Sequence, residues 1–144
     1  MPGPYTIDAS IFLNAFNQAE AGHSESLELL RRLQAKNYPI IVPTLLLPEV
    51  SAAIRRGRGD AALAQQFATA LSRLPHLVLI PLDTSLAFLA CEVSAQHRLR
   101  GADAVYAAVA LRFASDLITL DREQHDLLAG LLVAHYPKEL LEKV

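Results

Sequence analysis

Apolar residues along the chain form short β-branched runs that alternate with longer stretches of helical spacing. Tyr5-Thr6-Ile7 is a β-prone run ending on Asp8, and Ser10 stands where it can open the helical pattern Ile11-Phe12-Leu13-Asn14-Ala15-Phe16. Polar residues from Gln18 to Ser24, Gly22 among them, predict a turn. Leu27, Leu29, Leu30 and Leu33 then recur near helical spacing, with Glu28, Arg31 and Arg32 facing out and Asn37 closing the segment. Pro39-Ile40-Ile41-Val42-Pro43 predicts a short buried strand fenced by prolines. Thr44 is placed to cap a helix from Leu45 to Ile54, with Pro48 in its first turn and Glu49 in its opening turns. Arg55, Arg56 and Arg58 with Gly57 and Gly59 read as a basic, flexible break, after which Asp60 caps an Ala-rich helix from Ala61 to about Leu74.

The same rhythm continues. Leu77-Val78-Leu79-Ile80, between Pro75 and Pro81, predicts a third strand, and Thr84 or Ser85 opens a helix running toward His97. Arg98-Leu99-Arg100-Gly101-Ala102-Asp103 interrupts the pattern ahead of the most apolar helix, from Ala104 to about Ser115, which should be largely buried. Leu117-Ile118-Thr119-Leu120 gives a fourth strand ending at Asp121, and Leu131-Leu132-Val133 a shorter fifth. Pro137 to Val144 reads as a short charged helix. Strands separated by helices imply right-handed crossovers. The expectation is an α/β chain with a mainly parallel four- or five-stranded sheet covered on both faces.

Composition narrows the field. A chain of 144 residues, 52% hydrophobic and 19% charged, can bury a sizeable core and suits a single domain over residues 1–144. Net charge is −2, so no global positive field advertises nucleic acid, and a polyanion would have to be met by local arginines or bound metal. The single cysteine, Cys91, excludes an intramolecular disulfide and a multi-Cys zinc site. Its apolar helical setting predicts a packed thiol and a cytoplasmic home. No apolar run approaches the roughly 20 residues of a membrane span, and no charged segment followed by an apolar one opens the chain. We therefore expect neither membrane insertion nor export.

Four acids stand at comparable places in the strand–helix rhythm. Asp8 and Asp121 each follow an apolar strand, whereas Glu49 and Asp103 each lie in or before the first turn of an apolar helix. All four are candidates for one end of the sheet, where a crevice opens if the first and fourth strands flank a switch point. Singly, each has an ordinary reading: Asp8 and Asp103 as N-caps, Asp121 with Gln124 as a capping box, Glu49 as a helix-dipole partner. As a set they repel. Two carboxylates about 4 Å apart cost roughly 4 kcal/mol at an effective dielectric of 20, so such a cluster calls for a hard divalent cation such as Mg²⁺ or Mn²⁺. The sequence holds no His-Glu-x-x-His, no phosphate-cradling glycine-rich loop and no Gly-x-Ser-x-Gly elbow. The five histidines show no ligand spacing.

Taken together, Tyr5-Thr6-Ile7-Asp8-Ala9-Ser10, Pro48-Glu49, Gly101-Ala102-Asp103-Ala104-Val105-Tyr106-Ala107-Ala108 and Leu117-Ile118-Thr119-Leu120-Asp121 resemble the PIN-domain family, and within it the VapC-type toxins of toxin–antitoxin pairs. The resemblance covers nearly the whole chain. It implies a three-layer α/β/α sandwich and a metal-dependent ribonuclease, with Asp8, Glu49, Asp103 and Asp121 matching the acidic quartet. Ser10 and Thr119 match hydroxyl positions that support the first and last acids. It further implies a homodimer, and a small antitoxin that lays a peptide over the acid pocket. The segment Arg122-Glu123-Gln124-His125-Asp126 departs from the family by being more polar, which makes Glu123 and Asp126 additional candidate ligands.

The resulting expectation is RNA phosphodiester hydrolysis with one or two Mg²⁺ or Mn²⁺ ions held by Asp8, Asp103 and Asp121, and Glu49 completing the ligand sphere or orienting the water. Arg55, Arg56, Arg58, Arg98 and Arg100 are candidates to hold the RNA backbone. The alternative is a PIN-like protein-binding module without catalysis. A haloacid-dehalogenase-type phosphatase is discounted because it needs an acid where Ser10 is, and a receiver domain because Asp83, after the third strand, reads as a turn or cap residue.

Overall fold

The computed structural model describes residues 3–144. Its centre is a parallel sheet of five strands: β1 (Tyr5–Ile7), β2 (Ile40–Pro43), β3 (Leu77–Ile80), β4 (Asp116–Ile118) and β5 (Ala134–His135). Their order is β3-β2-β1-β4-β5. From β1 the chain steps outward to β2 and β3 on one side, then returns across the sheet to lay β4 against the other side of β1. That reversal opens a crevice outside the carboxyl ends of β1 and β4. The register Tyr5–Asp116, Thr6–Leu117, Ile7–Ile118 brings those two ends level, so Asp8 and Thr119 leave the sheet side by side.

Helices cover both faces, giving the α/β/α sandwich. They are α1 (Ala9–Phe16), α2 (His23–Ala35), α3 (Leu46–Arg58), α4 (Ala61–Ser72), α5 (Thr84–His97), α6 (Gly101–Arg112), α7 (Arg122–Leu127) and α8 (Pro137–Leu141). The apolar α6 packs across β1, β2 and β4, and every residue from Ala104 to Ala110 is buried, so its lack of a polar stripe follows from its position. Small alanines there let the helix approach the sheet closely, while Val105, Tyr106 and Val109 fill the space between.

Several boundaries differ from the sequence reading. The Arg55–Arg58 stretch is no break: α3 runs through Gly57 to Arg58 and ends at Gly59, whose left-handed φ of 66° closes the helix. Thr44 makes no side-chain cap for α3. Asp8, rather than Ser10, caps α1, and Asp83, rather than Thr84 or Ser85, caps α5 by accepting from the Leu86 N–H. The fifth strand sits at Ala134–His135, just past the Leu131–Val133 run, because Leu131 and Leu132 turn back on the end of α7 through N–H bonds to the Leu128 carbonyl. Cys91 is exposed instead of packed. It lies on α5, whose inward positions are taken by Leu86, Ala90 and Val93.

Candidate active site

Four elements deliver the four acids toward the crevice. Asp8 ends β1 and caps α1; Glu49 is in the first turn of α3, Asp103 in that of α6, and Asp121 caps α7 just beyond β4. Asp8 lies deepest, with 5% of its surface exposed. One oxygen of its carboxylate, Oδ1, accepts from the Ser10 N–H at 3.1 Å and from the Ser10 hydroxyl. The other, Oδ2, accepts from the Thr119 hydroxyl at 2.5 Å. Each hydroxyl in turn accepts a backbone N–H from the segment after β4: Leu120 N to Ser10 Oγ at 3.3 Å, and Asp121 N to Thr119 Oγ1 at 3.0 Å. The carboxylate of β1 and the loop that carries Asp121 are thereby laced together.

Burial raises the Asp8 carboxyl from 3.8 to about 6; the Ser10 and Thr119 hydrogen bonds resist that rise, and the charge of Asp103 adds to it. Glu49 is raised by burial, with its hydrogen bond from Tyr106 opposing and Asp103 reinforcing. Asp103 is also raised by burial, although the Arg100 guanidinium pulls it back, and Asp121 and Glu123 push it up. The charge of Asp103 thus reaches both Asp8 and Glu49, and that of Asp121 reaches Asp103. As the side chains stand, no three carboxylates, imidazoles or thiols among the described residues lie close enough together to hold a metal ion.

A cation is nevertheless present between two of the acids. The Arg100 guanidinium donates from Nε to Asp103 Oδ2 at 3.2 Å and from Nη2 to Asp121 Oδ2 at 3.1 Å. The remaining Asp121 oxygen, Oδ1, accepts the Glu123 and Gln124 N–H groups at 2.9 and 3.2 Å, as an N-cap does. Arg98, Leu99, Arg100, Asp103, Asp121, Glu123, Gln124 and Leu127 line a polar depression of about 160 Å³ over this pair.

The other sequence candidates separate. Arg98 and Arg100 border the acid depression, whereas Arg55, Arg56 and Arg58 occupy the last turns of α3, on the order of 10 Å along the helix from Glu49. Arg58 there covers the Phe16 ring at 5.2 Å. Glu123 borders the depression, while Asp126 pairs with His125 at 3.2 Å. Two contributors escaped the sequence reading. Tyr106 donates its hydroxyl to Glu49 Oε1 at 2.6 Å, a role signalled by its i+3 spacing from Asp103 on α6. Gln124, noted only for its capping-box spacing, instead points its amide at Thr119, with Oε1 3.2 Å from Thr119 Oγ1.

Three solved structures illustrate the likeness of the fold. Mycobacterium tuberculosis VapC20, described as a sarcin-ricin loop cleaving toxin, is 21% identical over 90% of this chain and 97% of its own, with a TM-score of 0.72. VapBC2 from Rickettsia felis, bound to a DNA fragment from its promoter, is 18% identical over 92% of this chain and 97% of that one, with a TM-score of 0.67. A toxin–antitoxin complex from Klebsiella pneumoniae is also 18% identical, over 93% and 98%, with a TM-score of 0.67. No curated protein sequence matches the chain. The model of the PIN domain family matches residues 5–129.

Proposed function

Because the chain belongs to the PIN domain family, we propose that it is a Mg²⁺- or Mn²⁺-dependent endoribonuclease, the toxin of a toxin–antitoxin pair, built as one PIN-like domain over residues 1–144. The observation that supports this reading is the Arg100 guanidinium bridging Asp103 and Asp121 beside the β1–β4 reversal, with the charge of Asp103 felt by both Asp8 and Glu49. The donor set fits a hard divalent ion: it is all oxygen, mutually repulsive, and has recruited a cation from its own chain.

Asp8, Asp103 and Asp121 would hold the ion, with Glu49 as a further ligand or as the group orienting the attacking water. A bound divalent ion supplies an acidified water and neutralises charge on the scissile phosphate. Ser10 and Thr119 keep Asp8 from rotating, and Tyr106 holds Glu49 at a fixed height on α3. Arg98 and Arg100 are placed to grip a phosphate entering the depression, with Arg55, Arg56 and Arg58 reserved for more distant parts of the strand. Cellular partners in this reading are an RNA substrate, a small antitoxin protein and a second copy of the chain, met in the cytoplasm. The Klebsiella likeness supports the antitoxin. No described helix is long and apolar enough to cross a membrane.

A PIN-like protein-binding module is the competing reading, and the Arg100 bridge favours it to the extent that Asp103 and Asp121 are already neutralised. Cleavage of total RNA in Mn²⁺, its loss in EDTA, and its loss in Asp103→Asn support the nuclease. Intact RNA after incubation with wild type in either metal, together with no heat on Mn²⁺ titration, selects the binding module.

A further inference from the structure

We propose that Gln124 is a positioning residue, whose side-chain amide donates to the Thr119 hydroxyl and so commits that hydroxyl's only proton to Asp8. The inference rests on the nuclease reading for its functional half and on proton counting for its structural half. Thr119 Oγ1 stands 2.5 Å from Asp8 Oδ2, 3.2 Å from the Gln124 carboxamide and 3.0 Å from the Asp121 N–H. A hydroxyl has one proton to give and two lone pairs to fill. The Asp121 N–H fills one of those. The contact to Asp8 is the shorter and is charge-assisted, so the proton goes there.

With its proton committed to Asp8, the hydroxyl can meet Gln124 only as an acceptor. In the structure the amide oxygen is the atom turned toward it, so two acceptors face each other, and the Gln124 Nε2 group is buried with no partner. Gln124 is 1% exposed, so bulk solvent does not reach the amide. The opposite orientation of the carboxamide would occupy the same heavy-atom positions and exchange the two atoms, putting Nε2 where Oε1 stands 3.2 Å from Thr119 Oγ1, within range of an N–H···O bond. It relieves the donor and leaves only a carbonyl oxygen unpartnered, the milder of the two defects. The result is a one-way relay: Gln124 N–H to Thr119 oxygen, Thr119 O–H to Asp8.

The relay gives the polar segment after Asp121 a purpose. Gln124 sits in the first turn of α7, three residues after the cap, and its backbone N–H already binds Asp121 Oδ1. One residue therefore holds Asp121 through its main chain and Asp8 through its side chain, tying the two ends of the acid row to one helical turn.

Substitutions that differ in donor and acceptor character test this. Gln124→Leu removes the donor, and Gln124→Glu replaces it with acceptors at nearly the same size. The relay requires Glu to be worse than Leu: a carboxylate pulls the Thr119 proton away from Asp8 and adds charge beside it. Expected are a kcat for RNA lowered about tenfold in Gln124→Leu with KM unchanged, a larger loss in Gln124→Glu, and the same order in melting temperature measured in EDTA. In the metal-free wild type, nuclear Overhauser contacts from the Gln124 amide protons to Thr119 should be visible. A Gln124→Glu variant that matches wild type in kcat and melting temperature overturns the relay, as do amide protons that show no contact with Thr119. Wild-type protein that fails to cut RNA overturns the positioning role along with the nuclease reading. That failure is distinct, because the amide contact and the stability order need no activity.

Discussion

The two ends of the acid row are held in opposite ways. Around Asp8 every contact is a hydrogen bond from a group close by, in a pocket that leaves 5% of the residue exposed. Asp103 and Asp121 share instead an ion pair with Arg100, whose side chain is 79% exposed, and Asp121 is tied to the backbone besides, through the Glu123 and Gln124 N–H groups. The first arrangement fixes position, because a buried carboxylate with short-range donors has few rotamers available and a large penalty for leaving them. The ion pair supplies charge and little fixity, since an exposed arginine can leave at little expense. On the proposed function, a site that takes a cation and a polyanion would gain from both: one rigid ligand to define the place, and a removable counter-charge beside the others.

The strongest way to break this comparison is at the rigid end. Asp8→Asn should reduce RNA cleavage at least about a hundredfold, beyond the usual loss for a residue that merely supports a ligand. In EDTA at pH 7.5 the same variant should melt a few degrees higher than wild type, because the buried charge has gone while Ser10 can still donate to the new amide oxygen. A lower melting temperature, with cleavage retained, would reduce Asp8 to a helix cap.

Next in size is the pH dependence of the metal-free protein. Asp8 binds its proton more tightly folded than unfolded, its carboxyl being raised from 3.8 to about 6 by burial first and by Asp103 in addition. Its favourable contribution is therefore complete below about pH 4 and lost as pH rises through about 6, a difference of up to about 3 kcal/mol. Glu49 and Asp103 are raised too and act in the same direction. Urea unfolding in EDTA should show stability falling from pH 4.5 to 7.5, and millimolar Mg²⁺ should flatten or reverse the slope. A metal-free protein that gains stability over that interval contradicts the assignment of a charge-strained site.

Tyr106→Phe probes the middle of the row. Loss of the hydroxyl leaves Glu49 half-buried without its donor, which should cost about 1 kcal/mol in denaturant unfolding and loosen the α3–α6 contact at the site. An effect as large as that of Asp8→Asn on cleavage would make Glu49, rather than Asp8, the rigid end.

Much of this was legible from residues alone. The β1–α1 handover and the burial of α6 follow from periodicity, and the places of the four acids, after strands for Asp8 and Asp121 and in first helical turns for Glu49 and Asp103, are where the pattern puts them. What escaped depends on side chains choosing among partners far apart in sequence. Asp8 and Thr119 are 111 residues apart and Tyr106 and Glu49 are 57 apart, so spacing rules alone supply neither pairing. The Arg55–Arg58 stretch was misjudged for a different reason. Gly57 carries a helical backbone in spite of its low propensity because Ile54 and Val50 are buried about one and two turns before the α3 terminus, and tertiary packing outweighs a single glycine.

The mildest test falls on the exposed end, where the comparison demands a small number. Arg100 contributes positive charge at the place a divalent ion would take, so Arg100→Ala should tighten Mn²⁺ binding by calorimetry, yet only about threefold, because an ion pair this exposed is held weakly. Arg98 borders the same depression, and no hydrogen bond or ion pair links its side chain to Asp103 or Asp121, so Arg98→Ala is the control for a change of net charge alone. Arg100→Lys keeps the charge but loses the fork that reaches two carboxylates at once, and should fall between alanine and wild type. The same alanine variant should raise KM for RNA while leaving kcat nearly unchanged, since the side chain freed from the acids is then missing from the phosphate. If Arg98→Ala tightens Mn²⁺ as much as Arg100→Ala, the bridge is only one surface charge among several. A gain of a hundredfold would mean that Arg100 locks the acid pair, and the exposed end would then be the rigid one.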